Sequence, residues 1–283
     1  MEVGLRTDLT AADIDDYRRN GFVVIDDFLA PEELEVWRIA FDNAVANRKG
    51  IKIPGRSAKT GEDDGINAVD VAYFGGVFDQ LINLWQTDAA LGALISDPRI
   101  GEMASRLSGC SGIRIWHDQA LIKQPWGNPT TLHLDLPYWS FEDKNALSIW
   151  IALDDATYQN GCLYFLPGTH HQTNIEEASI GPNMKAIFDL YPDLASVSPV
   201  AAPLKAGSAS FHNGLCIHGA GANMTTAPRR AMTCAFMPDG SRYNGKANVL
   251  PESYRQTLAI GDLLDDDRHN PLIYKLPDHE TAR

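Results

Sequence analysis

The feature that most constrains the fold is a series of short apolar segments between Ile113 and Met237, each closed by a turn signal. The segments run Ile113 to Lys123, Thr130 to Leu136, Ala146 to Leu153, Leu163 to Leu166, Ala209 to His212, Leu215 to His218 and Arg230 to Met237. Gly127-Asn128-Pro129, Gln159-Asn160-Gly161, Pro167-Gly168 and Pro238-Asp239-Gly240 punctuate them. Short runs rich in β-branched and aromatic residues, bounded by Gly, Pro and Asn, predict strands. The expectation is an antiparallel β core.

Upstream the periodicity is helical. Thr10 and Asp13 form a capping-type helix start, and Gly21 ends that helix before the β-rich run Phe22 to Ile25. Pro31-Glu32-Glu33 opens a second helix. In it Leu34, Trp37, Ala40, Phe41, Ala44 and Val45 recur at helical spacing and predict one buried face. Apolar spacing returns from Phe78 to Leu107. The pattern predicts one domain over residues 1–283, with a helical section at about 10–108, a β core at about 113–240 and a surface tail at 241–283. Residues 50 to 76 lack periodicity, yet the part from 65 to 76 is too apolar for a solvated linker. It reads as a lid over a site, with Asn67 and Tyr73 as candidate substrate contacts.

Charge and cysteine content narrow the function. The formal net charge is -13, and Lys and Arg cluster no further than pairs such as Arg18-Arg19, Arg48-Lys49 and Arg229-Arg230. A nucleic-acid partner needs a basic face, so none is expected. No apolar run is long enough to cross a bilayer, and Met1 to Arg6 carries no apolar stretch, so neither membrane insertion nor a signal peptide is expected. The four cysteines are scattered without a C-x-x-C pair, which suggests reduced thiols in a cytoplasmic protein.

The chemistry is concentrated in three residues. On a strand, His133 and Asp135 are two apart and face the same way. His218, on a later segment, supplies a third ligand. Two imidazoles and one carboxylate on one face of an ion, with the other positions open, are the ligand set of non-haem Fe(II) oxygenases. Arg229 follows eleven residues after His218. Its planar guanidinium suits the far carboxylate of a dicarboxylate that chelates the metal with its other end.

The stretches that surround these residues resemble the phytanoyl-CoA dioxygenase family of Fe(II)/2-oxoglutarate oxygenases. They are His133-Leu134-Asp135-Leu136-Pro137-Tyr138-Trp139, Ser148 to Asp154, Asn160 to His170 and Phe211 to Asn223, with Asn20 to Ile25 resembling the family's opening strand. The resemblance implies a double-stranded β-helix, or jelly-roll, with helices packed outside one sheet. It implies that His133, Asp135 and His218 bind iron, and that Arg229, Trp150 and Thr130 contact 2-oxoglutarate. Relatives often carry a Ser two residues after the last ligand. Here Ala220 stands there, with Thr130 and Thr233 as candidates to replace its hydroxyl. The reaction implied consumes 2-oxoglutarate and O₂, releases succinate and CO₂, and by default hydroxylates an unactivated C–H bond of a small-molecule metabolite. Asp135 stands where related halogenases have a small residue, so halogenation is not expected.

Strand alternation groups Trp116, Asp118, Ala120 and Ile122 on one face, and the family pattern turns that face into the barrel. Asp118, Ile122 and Trp116 are therefore candidate substrate contacts, and Trp139, on the loop that leaves the metal strand, is a candidate for the pocket wall or the core. His212, Lys123 and Arg230 read as structural, as a solvated strand end and as surface, respectively. Two other functions fit the same triad: a cupin-like metal hydrolase or isomerase, which needs no dicarboxylate anchor, and a non-catalytic ligand-binding jelly-roll, which needs no metal.

Overall fold

The computed structural model describes residues 4–48, 73, 75–172, 176, 178 and 180–277. Helix α1 (Ala11–Asn20) starts with a reciprocal cap. The Thr10 side chain accepts the Asp13 amide and the Asp13 carboxylate accepts the Thr10 amide. Gly21 closes the helix at φ 82°, a left-handed conformation with little cost for glycine. Strand β1 (Phe22–Ile25) leads into α2 (Pro31–Arg48), whose stripe of Leu34, Trp37, Ala40, Phe41 and Ala44 is buried. Then come β2 (Asp79–Ile82), α3 (Ala89–Ile95) and α4 (Pro98–Ser108). The other strands are β3 (Gly112–Lys123), β4 (Thr130–His133), β5 (Leu147–Ala152), β6 (Leu163–Phe165), β7 (Val200–Ala202), β8 (Ala209–Asn213), β9 (His218–Ala220), β10 (Arg229–Pro238) and β11 (Leu272–Lys275). Short helices α5 (Ala186–Leu190) and α6 (Glu252–Arg255) interrupt that series.

The strands form two antiparallel sheets, a jelly-roll core. The larger runs β1-β8-β5-β10-β3-β11, with β2 also on β3, and the smaller runs β4-β9-β6-β7. Alternation gives the larger sheet two different faces. Ile149, Ile151, Met232 and Cys234 pack under Trp37, Phe41, Ile100 and Met103 of the helices. Trp150, Ala152 and Ala231 point the other way, against Leu163, Phe165 and Ala220 of the smaller sheet. Each large side chain buried in such a layer contributes about 1.5–3 kcal/mol.

Two expected boundaries change. The helical section also supplies strands to the larger sheet, because β1 pairs with β8 and β2 with β3. The tail is built into that sheet, since β11 pairs with β3. Arg114 fastens it, with Nε 2.7 Å from Asp239 Oδ1 and Nη1 2.7 Å from Asp267 Oδ1. A four-residue edge strand has too few positions to establish a period of two, so its sequence signal is weak. Asn67 and most of the expected lid lie outside the described residues.

Candidate metal centre

Strands β4 and β9 are neighbours in the smaller sheet. A register shift between Thr130 and His133 sets His133 directly opposite His218. Their ring centres are 4.4 Å apart. Each ring is oriented by nearby backbone: His133 Nδ1 lies 2.8 Å from the Thr131 carbonyl oxygen and His218 Nδ1 3.1 Å from that of Cys216. A carbonyl only accepts, so Nδ1 carries the proton and the Nε2 lone pair is free for a cation. Asp135 Oδ1 lies 3.4 Å from His133 Nε2 and 3.8 Å from His218 Nε2. The three candidate ligand atoms fall within 4.8 Å of one another, a set that could hold one divalent ion.

Asp135 reaches this point by a route other than strand alternation. Strand β4 stops at His133, and Asp135, at φ -83° and ψ -46°, precedes a 3₁₀ turn at Leu136–Tyr138. The Gly214 carbonyl accepts the amides of Asp135 and Leu136 at 3.0 and 2.9 Å. His218 likewise begins β9 instead of ending a strand from Leu215. The Leu215 amide is capped by Asn213 Oδ1 at 2.8 Å and the Cys216 amide by the Asn213 carbonyl at 2.8 Å, which makes a tight turn.

The second carboxylate oxygen of Asp135 has its own partners. Ser148 Oγ donates to Oδ2 at 3.3 Å, and His212 Nε2 lies 3.5 Å from the same atom. Ser148 and His212 are cross-strand partners on β5 and β8. Neither was among the expected site residues. The Asn213-Gly214 turn hides the geometry of His212, whereas Ser148 could have been found by its shared parity with Trp150. Burial raises the Asp135 pKa, but the imidazoles of His218, His133 and His212 outweigh it and hold the carboxyl well below the usual range. Burial pushes His218 down to about 3. The pair is an ionised carboxylate beside a neutral imidazole, the protonation state that a bound cation requires.

A cation lies on the face of β10 that packs against the smaller sheet. Arg229, at the start of β10, is 3% exposed. Its Nη2 donates to the Gly161 carbonyl at 3.4 Å, while Nε and Nη1 have no hydrogen-bond partner among the described residues. The guanidinium carbon sits 5.0 Å from the Trp150 ring centre. Burial lowers the Arg229 pKa to about 10, so the group stays charged at neutral pH. A buried cation with unpartnered donors is costly by itself and well matched to a carboxylate. Thr130 is buried opposite Ala220. The Thr233 hydroxyl instead donates to the Ile149 carbonyl at 2.6 Å, so its proton is not available to a carboxylate.

The expected substrate face of β3 is corrected by one residue. Asp118 pairs with Cys234 and Ala120 with Met232, both on the helix-covered side. Asp118 is fully buried, and its carboxylate accepts the amides of Leu84 and Trp85 at 3.0 and 2.9 Å. Ile122 packs in the same helix-side core. A bulge between Ala235 and Phe236 puts Trp116 out of phase with the rest of β3. Trp116 packs with Phe141, and its Nε1 donates to Asn248 Oδ1 at 3.2 Å. The residues that share a face with Arg229 and Thr233 are His117, Gln119, Leu121 and Lys123. His117 is buried, and burial lowers its pKa to about 4 against the charge of Asp135. Trp139 is buried, stacked on Phe141, with its ring edge-on to His117 at 6.5 Å. The Tyr73 hydroxyl donates to the Pro129 carbonyl at 2.9 Å, next to Thr130. Arg230 faces away from Arg229 and pairs with Asp154 and Asp42, both at 2.8 Å.

Asp118→Ala is expected to lower stability by about 2–5 kcal/mol, because two buried amides lose their acceptor. Cosubstrate affinity should not change. Urea unfolding and calorimetry check the two halves.

A model of the phytanoyl-CoA dioxygenase (PhyH) family matches residues 17–231, a span that contains His133, Asp135, His218 and Arg229. The peroxisomal phytanoyl-CoA dioxygenase of Rattus norvegicus is 27% identical over 258 residues, covering 87% of this chain and 74% of that protein. The ectoine dioxygenase of Bordetella bronchiseptica is 26% identical over 271 residues, covering 87% of this chain and 79% of that protein. The crystal structure of SnoK, a non-haem α-ketoglutarate-dependent carbocyclase from nogalamycin biosynthesis, matches with a TM-score of 0.76 at 25% identity, over 95% of this chain and 99% of that one. The chain belongs to the phytanoyl-CoA dioxygenase family and is an Fe(II)/2-oxoglutarate-dependent oxygenase.

Proposed function

We propose that His133, Asp135 and His218 hold the iron, that Arg229, Trp150 and Thr130 hold 2-oxoglutarate, and that the chain hydroxylates an unactivated C–H bond of a small-molecule metabolite. The observation that carries this is the presence, between two facing sheets, of the His133, Asp135 and His218 triad and of a buried guanidinium underpartnered among the described residues. Iron bound there with 2-oxoglutarate and O₂ supplies the oxidant for C–H cleavage, with release of succinate and CO₂.

The chain's residues position the reactants. His133 and His218 present Nε2 because the backbone holds Nδ1. Asp135 presents Oδ1 because Ser148 and His212 occupy the neighbourhood of Oδ2. Arg229 offers its guanidinium to the distal carboxylate while Trp150 limits its tilt. Phe165, fully buried and 6.0 Å from the His218 ring, keeps water from that side of the imidazole. On the substrate side His117, Gln119 and Trp139 take the place expected for Asp118 and Ile122. The rat relative is named for phytanoyl-CoA and the Bordetella relative for ectoine, a wide range of small molecules. No described helix is long and apolar enough to cross a membrane, and all four cysteines are free. Free thiols suit the reducing cytoplasm, where we place the enzyme as one domain.

The test is aerobic turnover with Fe(II), 2-oxoglutarate, ¹⁸O₂ and a panel of small metabolites, followed by mass spectrometry. Hydroxylation predicts succinate together with a product carrying one labelled oxygen. Consumption of no 2-oxoglutarate under any condition overturns the proposal.

His212→Leu is expected to weaken Fe(II) binding by about 10- to 100-fold, the usual effect of removing a partner that orients a ligand. An anaerobic metal titration checks it. Unchanged affinity would mean that His212 only fills space.

A further inference from the structure

Lys123 is the last residue of β3 and pairs directly across the sheet with Arg229 of β10. It was expected to be solvated, but it is 0% exposed. Its ammonium donates to the Asn128 carbonyl at 2.7 Å and lies over the Phe78 ring, 6.0 Å from its centre. Three ammonium protons are available, and one hydrogen bond is made among the described residues. Neither Lys123 nor Arg229 has an ion-pair partner among the described residues. The carboxylate whose charge Arg229 feels, Asp154, is engaged at both oxygens by Arg230.

Gly161 joins the two cations. Its carbonyl accepts Arg229 Nη2 at 3.4 Å, and a Cβ at Gly161 would lie 2.8 Å from Lys123 Cδ. The absence of a side chain there lets the lysine lie along the turn beside the guanidinium. Two like charges buried together are unfavourable unless an anion is placed between them. Burial and the neighbouring Arg229 charge push the Lys123 pKa down to about 7. Ala220, where a hydroxyl was expected to assist the guanidinium, offers no donor from its side chain.

We propose that Lys123 is a second cationic anchor for the distal carboxylate of 2-oxoglutarate, taking the part of the hydroxyl that Ala220 lacks. The proposal rests on the assignment of Arg229 as the first anchor. Lys123 acts on binding of the cosubstrate and on its selection over 2-oxo acids that lack a second carboxylate.

The experiment is calorimetric titration of anaerobic Mn(II)-loaded protein with 2-oxoglutarate and, separately, with 2-oxobutyrate, which has no distal carboxylate. Lys123→Met is expected to weaken 2-oxoglutarate by about 10- to 100-fold, the range of one charge-assisted hydrogen bond. Mn(II) and 2-oxobutyrate affinities should stay at wild-type values. Lys123→Gln keeps a donor for the Asn128 carbonyl, so the same loss in that variant assigns the effect to charge and not to the turn at Asn128. A 2-oxoglutarate affinity within twofold of wild type in either Mn(II)-binding variant overturns the role of Lys123 alone. Failure of the wild-type protein to bind 2-oxoglutarate overturns Arg229 and Lys123 together.

Discussion

Asp135→Ala is expected to weaken Fe(II) binding by about 100-fold or more and to abolish succinate formation. The carboxylate is the only anion in the triad, and its Oδ1 lies within 3.8 Å of both candidate Nε2 donors. Truncation removes the charge as well as one ligand, which is more severe than loss of an orienting partner. The fold should survive. The Asp135 and Leu136 amides keep the Gly214 carbonyl as acceptor, so the turn that replaces the end of β4 does not depend on the side chain. Ser148 loses an acceptor and the neutral imidazole of His218 loses a neighbour, so the stability cost should be about 1–2 kcal/mol. Anaerobic metal titration, a succinate assay and a thermal melt check the three parts. A variant that keeps wild-type Fe(II) affinity would show that the ion sits elsewhere.

Arg229→Met is expected to move two quantities in opposite directions. Affinity for 2-oxoglutarate should fall by about 100-fold or more, because a charge-assisted contact to a buried guanidinium is lost. The protein without cosubstrate should become more stable by about 1–3 kcal/mol, because an unpaired buried cation is replaced by an apolar side chain of similar volume. Methionine can still pack against Trp150. A guanidinium kept for structure alone predicts the reverse: lower stability and unchanged cosubstrate affinity. Calorimetry and thermal unfolding without 2-oxoglutarate separate the two. The opposing signs also distinguish a binding anchor from a general loss of folding, in which both quantities would fall.

Sequence patterns located the elements better than the side chains. The cap at Thr10, the buried stripe of α2 and the strands β3, β5 and β10 follow from local rules that span few residues. The convergence of His133, Asp135 and His218 was legible from residue type and spacing, yet the expected cause was different. A 3₁₀ turn bound to Gly214 places Asp135, and a register shift places His133 opposite His218. On β3 alternation held for Asp118, Ala120 and Ile122, but the bulge takes Trp116 off their face, and the family pattern had turned the whole group to the wrong side. His212 and Lys123 were misread for a related reason. Their environments are built by Asp135 and Ser148 in one case, and by Phe78, Asn128 and Gly161 in the other. Those partners are remote in sequence, and a local pattern carries no information about them. The strand β11 was missed because its four residues are too few to establish a period and its pairing partner β3 is remote in sequence.

The most direct measurement is the visible absorption spectrum of anaerobic protein titrated with Fe(II) and then with 2-oxoglutarate. A 2-oxo acid chelated to ferrous iron gives a charge-transfer band that neither component gives alone. Wild-type protein should develop the band at one equivalent of iron. Arg229→Met should reach it only at much higher 2-oxoglutarate, and Asp135→Ala should not develop it. Absence of the band in the wild-type protein, or its full retention in Asp135→Ala, contradicts a centre built from His133, Asp135 and His218.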